Sequence, residues 1–202
     1  MTAEQALQQL IEGNRRFASA KSAHPHQVPE WRKSLTEGQF PFAVVVGCSD
    51  SRVPVEIIFD QGLGDLFVVR VAGNILGESE LGSILYAVLH TGAPLVFILG
   101  HECCGAVTAA FVSPEDREKE PKEIRRVLEQ VDPAIKDIDP NLAESDRVHL
   151  GVEANVRRIV GLLKNNATMA AKIKENKVSV VGGIYALDTG VVRLICACTG
   201  WR

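Results

Sequence analysis

Two clusters of residues in this chain have the types and the spacing of a metal site. Cys48 opens the first cluster, and His101 and Cys104 follow about fifty residues later. Two thiolates and one imidazole are donors that zinc prefers, and three protein ligands leave one position of a tetrahedral ion open, as catalytic zinc requires. A single cysteine is more often a buried apolar residue, so the prediction depends on the three side chains converging.

Asp50 and Arg52 add a carboxylate and a guanidinium beside Cys48. Residues i and i+2 of an extended loop point the same way, so we expect an ion pair. The pair either only braces the loop, or lets Arg52 hold Asp50 away from the metal so that water binds there. Zinc lowers the pKa of bound water to about 7, and Asp50 would then orient the hydroxide. In a closed form, Asp50 is itself the fourth ligand.

Four apolar runs predict the buried strands that must carry these clusters. Each is rich in valine and isoleucine and too short for a helix; they cover residues 42–47, 66–71, 95–100 and 178–186. The alternation with helical segments predicts an α/β fold with a mostly parallel four-stranded sheet flanked by helices, plus an added C-terminal antiparallel strand over 191–196. Ligands of such sheets bind at the carboxyl ends of the strands, where Cys48 and His101 follow the first and third strands.

The rest of the chain is interpreted as one domain over residues 1–202. Further helices are predicted over 54–60, 81–90, 105–111 and 147–164. An N-terminal helical arm covers 1–35; Thr2 and Gln5 have the spacing of a capping box, and the apolar stripe of its helix packs either on its own domain or on a partner subunit. Residues 113–146 alternate in charge and contain four prolines, which predicts a charged, solvated helical excursion.

The composition argues against several classes of function. The 202 residues carry a net charge of −3, with 46% hydrophobic and 23% charged residues, so we expect no nucleic-acid partner and no membrane partner. The apolar runs are too short to span a bilayer, and the amphipathic N-terminus is unlike a signal peptide. We therefore expect a cytoplasmic protein, in which five cysteines indicate metal or redox chemistry before disulfides.

The two motifs resemble those of the β-class carbonic anhydrases. They read C-x-D-x-R from Cys48 and G-H-x-x-C-G around His101, and residues 67–74, FVVRVAGN, are also similar to that family. Each motif directly follows a predicted buried strand, as the family fold requires. The resemblance implies reversible hydration of carbon dioxide to bicarbonate and a proton, by attack of zinc-bound hydroxide.

The resemblance also implies roles for individual residues and an assembly. Zinc would be held by Cys48, His101 and Cys104, and Asp50 and Arg52 would be the catalytic pair. The basic unit would be a homodimer, or a dimer-based higher oligomer such as a tetramer. The N-terminal helix would then lie over the partner, with the active site at the interface, which favours partner contact for the apolar stripe.

Four further residues match the substrate pocket of the plant-like members of the family. Gln39 lies nine residues before the first zinc cysteine, and Phe67 lies nineteen residues after it. Tyr86 lies fifteen residues before the zinc histidine, and Gly105 ends the second motif. The bicarbonate-regulated type has a tryptophan where this chain has Val45. The resemblance is therefore to the open-site type, with water as the fourth zinc ligand at neutral pH.

Three cysteines have no role in the family pattern. Cys103 stands where the family usually has another residue, and we expect a buried thiol, with a redox or competing-ligand role as the alternative. Cys196 and Cys198 alternate along the last predicted strand, so they face opposite sides and are not expected to pair with each other.

Two other functions compete with carbon dioxide hydration. Hydrolysis of carbonyl sulfide or carbon disulfide would use the same metal set, because a similar electrophile meets the same hydroxide; Gln39, Phe67 and Tyr86 favour carbon dioxide. The second alternative is a non-catalytic scaffold component that binds zinc or bicarbonate. That role would require the loss of the Asp50–Arg52 pair or of Gln39, and the sequence retains both.

Overall fold

The structure, a computed structural model, describes residues 1–196; Cys198 lies outside the described residues. One sheet contains the strands β1 (Ala43–Gly47), β2 (Leu66–Arg70), β3 (Leu95–His101), β4 (Ser179–Tyr185) and β5 (Val192–Cys196). Their order is β2-β1-β3-β4-β5. The first four strands pair in parallel, and β5 is antiparallel to β4. The predicted α/β fold, with its mostly parallel sheet and added C-terminal strand, is confirmed.

Helices flank this sheet. They are α1 (Ala3–Ala18), α2 (Pro29–Ser34), α3 (Val55–Ile58), α4 (Glu78–Tyr86), α5 (Gly105–Ala110), α6 (Pro114–Glu118), α7 (Lys122–Ile135), α8 (Glu144–Asn165) and α9 (Ala167–Lys174). The helix predicted over 81–90 begins earlier, at Glu78, and a π-helical turn over Ala87–Thr91 continues it. Among residues 1–196, none of the helices combines the length and the hydrophobicity needed to cross a membrane.

The central strands are buried because both faces of the sheet are covered. Val45 and Phe97 pack on one face with residues of α1 and α3, and Val44 and Ile98 pack on the other with residues of α4, α8 and α9. Helix α8 lies unusually close to β3 and β4, since both strands have a glycine beneath it. A Cβ atom on either Gly100 or Gly182 would lie 2.6 Å from a methyl group of Val156. This close approach brings the buried side of α8 next to the carboxyl end of the sheet.

The N-terminal helix packs on its own chain. The predicted capping box is present, with Gln5 N–H donating to the Thr2 hydroxyl and Thr2 N–H donating to the Gln5 side chain. Leu7 and Leu10 in the apolar stripe are buried in the core beside the sheet. Leu7 and Leu10 are therefore covered by their own chain, whereas Ile11 and Phe17 are only partly buried; contact of this helix with a partner subunit stays a prediction.

The excursion over 113–146 is helical, but it is not a purely solvated segment. In α7, Leu128, Val131 and Ile135 recur at helical spacing and are buried, while the charged residues lie on the opposite side. Pro133 lies inside the last turn of this helix and does not interrupt it. The expectation of a solvated excursion is corrected: one face of α7 closes the core beneath the candidate metal ligands.

Candidate metal centre

Three metal-ligating side chains meet at the carboxyl ends of two neighbouring strands. Cys48 directly follows β1, and His101 is the last residue of β3, which lies beside β1 in parallel. Cys104 follows three residues later, immediately before α5. The ligand atoms of the three residues lie within 4.8 Å of one another, and all three residues are buried. The convergence predicted from the positions of these residues at the ends of parallel strands is therefore present in the structure.

The hydrogen bonding of His101 leaves one ring nitrogen free. Nδ1 lies 2.8 Å from the carbonyl oxygen of Glu102. Because a carbonyl oxygen only accepts, Nδ1 carries the proton and Nε2 of the neutral ring has an available lone pair. Nε2 is buried and has no hydrogen-bond partner among the described residues. A buried nitrogen lone pair beside two sulfur atoms is the arrangement that a bound metal ion would satisfy.

The surroundings of Cys48 favour a thiolate. The sulfur accepts from the backbone N–H groups of Asp50 at 3.4 Å and Gly73 at 3.3 Å. A hydrogen bond from the Cys104 thiol is the main cause that lowers the pKa of Cys48, against the opposing effect of burial. The pKa of Cys104 is raised, because Cys104 keeps the proton that it donates to Cys48. One of the two sulfurs is thus ready to bind a cation.

Asp50 and Arg52 form the predicted ion pair, although a turn rather than an extended loop brings them together. The backbone N–H of Val53 donates to the Asp50 carbonyl, and the Arg52 N–H donates to Asp50 Oδ1 at 2.9 Å. Arg52 Nε and Nη2 donate to the two carboxylate oxygens at 2.9 and 2.7 Å. These bonds hold the pKa of Asp50 well below its usual range. Asp50 Oδ2 lies 3.9 Å from His101 Nε2, so the carboxylate borders the cluster.

Comparison with known proteins identifies the family. The family model described as carbonic anhydrase matches residues 43–192. Carbonic anhydrase 2 of Mycobacterium tuberculosis is 41% identical over 189 residues, covering 92% of this chain and 89% of that protein. A structure from a study of two tetrameric β-carbonic anhydrases of Sordaria macrospora has a TM-score of 0.76 at 26% identity, over 95% of this chain and 97% of that chain. The chain belongs to the β-class carbonic anhydrase family.

A further relative supports the same family assignment for this chain. The carbonic anhydrase of Mycolicibacterium smegmatis is 41% identical over 190 residues, which cover 94% of this chain and 91% of that protein. Both motifs, from Cys48 to Cys104, fall inside the matched region. The resemblance drawn from the motifs is confirmed, and so is the prediction that the chain is an enzyme of the carbonic anhydrase class.

Arg70 is a contact of this carbonic anhydrase site that the sequence reasoning missed. From the end of β2, its Nε donates to the Cys48 carbonyl at 2.9 Å and its Nη2 donates to the Asp50 carbonyl at 2.7 Å. The guanidinium therefore holds the backbone on both sides of Ser49 and fixes the loop that carries Asp50. The only signal in the sequence was the position of Arg70 inside the family-like segment 67–74.

The expectation of a buried Cys103 thiol is wrong. Cys103 is exposed, because it occupies a left-handed turn, with φ of 51°, that redirects the chain from β3 into α5. Its carbonyl accepts from Arg52 Nη2 at 3.2 Å, so its backbone contacts the Asp50–Arg52 pair. The side chain lines a cavity of about 500 Å³ together with Glu102, Val148 and His149.

The single chain does not bring the whole predicted pocket to its own metal cluster. Gln39 is exposed and precedes β1, whereas Cys48 follows it; five strand residues span about 16 Å. Phe67 pairs with Val44, so it lies roughly 13 Å before Cys48 along the strand direction. Tyr86 lies beside Phe67, with ring centroids 6.4 Å apart.

Gly105 is the one predicted pocket residue that stays beside the cluster. It is the first residue of α5 and directly follows Cys104. A Cβ atom built on it meets no other atom within 4 Å, so the space in front of it is open.

Proposed function

We propose that this carbonic anhydrase catalyses the reversible hydration of carbon dioxide to bicarbonate and a proton, with zinc bound by Cys48, His101 and Cys104. The observation that carries the proposal is the buried Nε2 of His101, which lies with the two sulfurs and has no partner among the described residues. The cytoplasmic location stays a prediction from the sequence.

The donor set suits zinc and does not suit the hard cations magnesium and calcium. Two sulfurs and an imidazole suit a soft or borderline cation, whereas magnesium and calcium bind oxygen ligands. When bound, zinc would lower the pKa of a water molecule to near neutrality and so supply a nucleophile. The three buried side chains would hold the ion and exclude other protein donors from it.

Asp50 and Arg52 would prepare the reacting water without contacting the metal. Arg52 uses two nitrogens on the carboxylate, which keeps Asp50 ionised and turned toward the guanidinium. An ionised carboxylate accepts hydrogen bonds only. Asp50 would therefore accept a hydrogen bond from the reacting water. This bond would direct a lone pair of the water oxygen toward carbon dioxide. Arg70, by fixing the loop backbone, would keep that direction constant.

We further propose that a second copy of the chain completes the pocket. Two aromatic side chains are largely exposed: Tyr86, which lies beside Phe67 of the edge strand β2, is 53% exposed, and Phe40, shortly before β1, is 83% exposed. Covering this surface with a partner would bury it and carry Gln39, Phe67 and Tyr86 to the cluster of the other subunit. The Sordaria macrospora proteins described as tetrameric support a dimer-based higher oligomer.

A hybrid dimer tests this shared site. Asp50→Asn and Gln39→Ala chains, co-expressed with different affinity tags and purified through both tags, form dimers in which one site combines an intact Asp50 with an intact Gln39. We expect each variant alone to lose about tenfold or more in activity. The hybrid should recover roughly half of the wild-type activity per dimer, since one of its two sites is complete. If the hybrid is no more active than the mean of the two variants, Gln39 serves the metal cluster of its own chain, and the shared site is refuted.

Zinc removal tests the activity itself. A chelator such as dipicolinate should reduce carbon dioxide hydration, measured by stopped-flow with a pH indicator, to the uncatalysed rate. One zinc ion per chain should restore it, and magnesium should not, because thiolate and imidazole donors do not suit that ion. Background activity in zinc-loaded protein of native oligomeric state would refute the proposed function.

A further inference from the structure

Asn155 is a buried polar residue on the apolar side of α8. It is 1% exposed and lies between the buried residues Val152 and Val156. Its Nδ2 donates to the carbonyl oxygen of Gly73 at 2.8 Å, and because a carbonyl only accepts, the orientation of the amide is fixed. A polar residue within an apolar stripe is the sequence signal that could have singled it out.

Gly73 connects this amide to a candidate metal ligand. The N–H of Gly73 donates to the sulfur of Cys48 at 3.3 Å. Its backbone is left-handed, with φ of 68°, and a Cβ atom here would lie 3.0 Å from the Cβ atom of Ala106. Asn155 therefore holds the carbonyl of Gly73, a tightly packed residue whose N–H points at the sulfur of Cys48.

The other half of the Asn155 amide indicates that packing alone does not explain this residue. Its Oδ1 is buried without a hydrogen-bond partner among the described residues, which is unfavourable for folding. An asparagine at this position contributes one directed bond, to Gly73, and leaves its second polar atom unsatisfied.

We propose that Asn155 is a positioning residue for the metal ligand Cys48. By holding the Gly73 carbonyl, it keeps the Gly73 N–H directed at the sulfur, which fixes the direction of the thiolate and withdraws electron density from it. Groups that support ligands in this way commonly change metal affinity by about 10–100-fold when they are replaced. The inference rests on the proposed zinc site and deepens it.

Asn14 provides a matched control elsewhere in the same chain. It is also a buried asparagine, 3% exposed. Its Nδ2 donates to the carbonyls of Ile58 and Gly190, and its Oδ1 accepts from the N–H of Val192. Asn14 makes more hydrogen bonds than Asn155, and none of them leads to the metal cluster.

The test compares Asn155→Leu with Asn14→Leu in the full-length protein. Zinc affinity is measured by competition with a chromophoric chelator, and unfolding of the metal-free protein is followed by thermal denaturation. Cobalt replaces zinc for a third measurement, because the thiolate-to-cobalt charge-transfer band reports the electron density on the sulfur. Asn155→Ser, which is smaller and cannot clash, repeats the test if the leucine variant folds poorly.

We expect both Asn155 variants to bind zinc about tenfold more weakly than wild type, with the charge-transfer band at longer wavelength because the sulfur has lost an oriented N–H donor. Asn14→Leu should lower the unfolding temperature and leave the zinc affinity and the band unchanged. Wild-type zinc affinity and an unshifted band in the Asn155 variants would overturn the inference. If the wild-type chain itself fails to bind zinc, the proposed function fails instead.

Discussion

Replacing Cys104 with alanine is expected to abolish tight zinc binding and, with it, carbon dioxide hydration. Cys104 is 1% exposed, and its sulfur lies within 4.8 Å of the other two donor atoms. Zinc binding to zinc-finger peptides corresponds to about 10–16 kcal/mol. Those peptides supply four donors, so one donor corresponds to about 2.5–4 kcal/mol, and losing Cys104 should weaken zinc binding by roughly 100-fold or more. Chelator competition measures the affinity, and stopped-flow with a pH indicator measures the activity.

The adjacent Cys103 supplies the control for this experiment. Its thiol is exposed, and alanine preserves the backbone carbonyl that accepts from Arg52. Cys103→Ala should therefore retain wild-type zinc affinity and activity. The assignment of Cys104 would be wrong if the two variants lost zinc equally, or if Cys104→Ala kept its zinc.

Asp50→Asn is expected to keep zinc and lose catalysis. The amide has nearly the shape of the carboxylate, so the buried ligands Cys48, His101 and Cys104 are left in place. It carries no charge, cannot pair with both Arg52 nitrogens as the carboxylate does, and presents N–H donors where the reacting water needs an acceptor. Positioned proton acceptors contribute about 100- to 10,000-fold to a rate, so hydration should fall by at least about 100-fold.

Asp132 is a suitable comparison for Asp50, because it also pairs with an arginine. Its Oδ2 accepts from Arg117 Nη1 at 2.6 Å, on the surface formed by α6 and α7. Asp132→Asn should leave both zinc content and hydration at wild-type levels. A fully active, zinc-loaded Asp50→Asn enzyme would remove Asp50 from the mechanism, and a zinc-free one would show that Asp50 supports the ligands instead.

The strands and the convergence of the site could be predicted because their causes are local or follow from topology. Short runs of valine and isoleucine between turn residues predict buried strands. Neighbouring parallel strands end at the same edge of a sheet, so Cys48 and His101 were expected to lie close together if their strands were neighbours. The order β2-β1-β3 makes them neighbours. The spacing of Asp50 and Arg52 predicted their pairing, although the turn that produces it was not foreseen.

The features that were missed depend on the three-dimensional arrangement of distant segments. Arg70 and Asn155 act on backbone carbonyls, and nothing in residue type or spacing identifies which carbonyl will lie opposite a side chain. The exposure of Cys103 follows from a left-handed backbone that is unusual outside glycine and asparagine. The apolar stripe of α1 would look the same whether its own sheet or a partner covered it.

The most direct test of the account is the zinc coordination in a crystal of the zinc-loaded protein at neutral pH. We expect zinc on Cys48, His101 and Cys104, a solvent molecule in the fourth position, and Asp50 still paired with Arg52. A structure in which Asp50 is the fourth ligand and the pair with Arg52 is broken would contradict the open site from which the proposed chemistry follows.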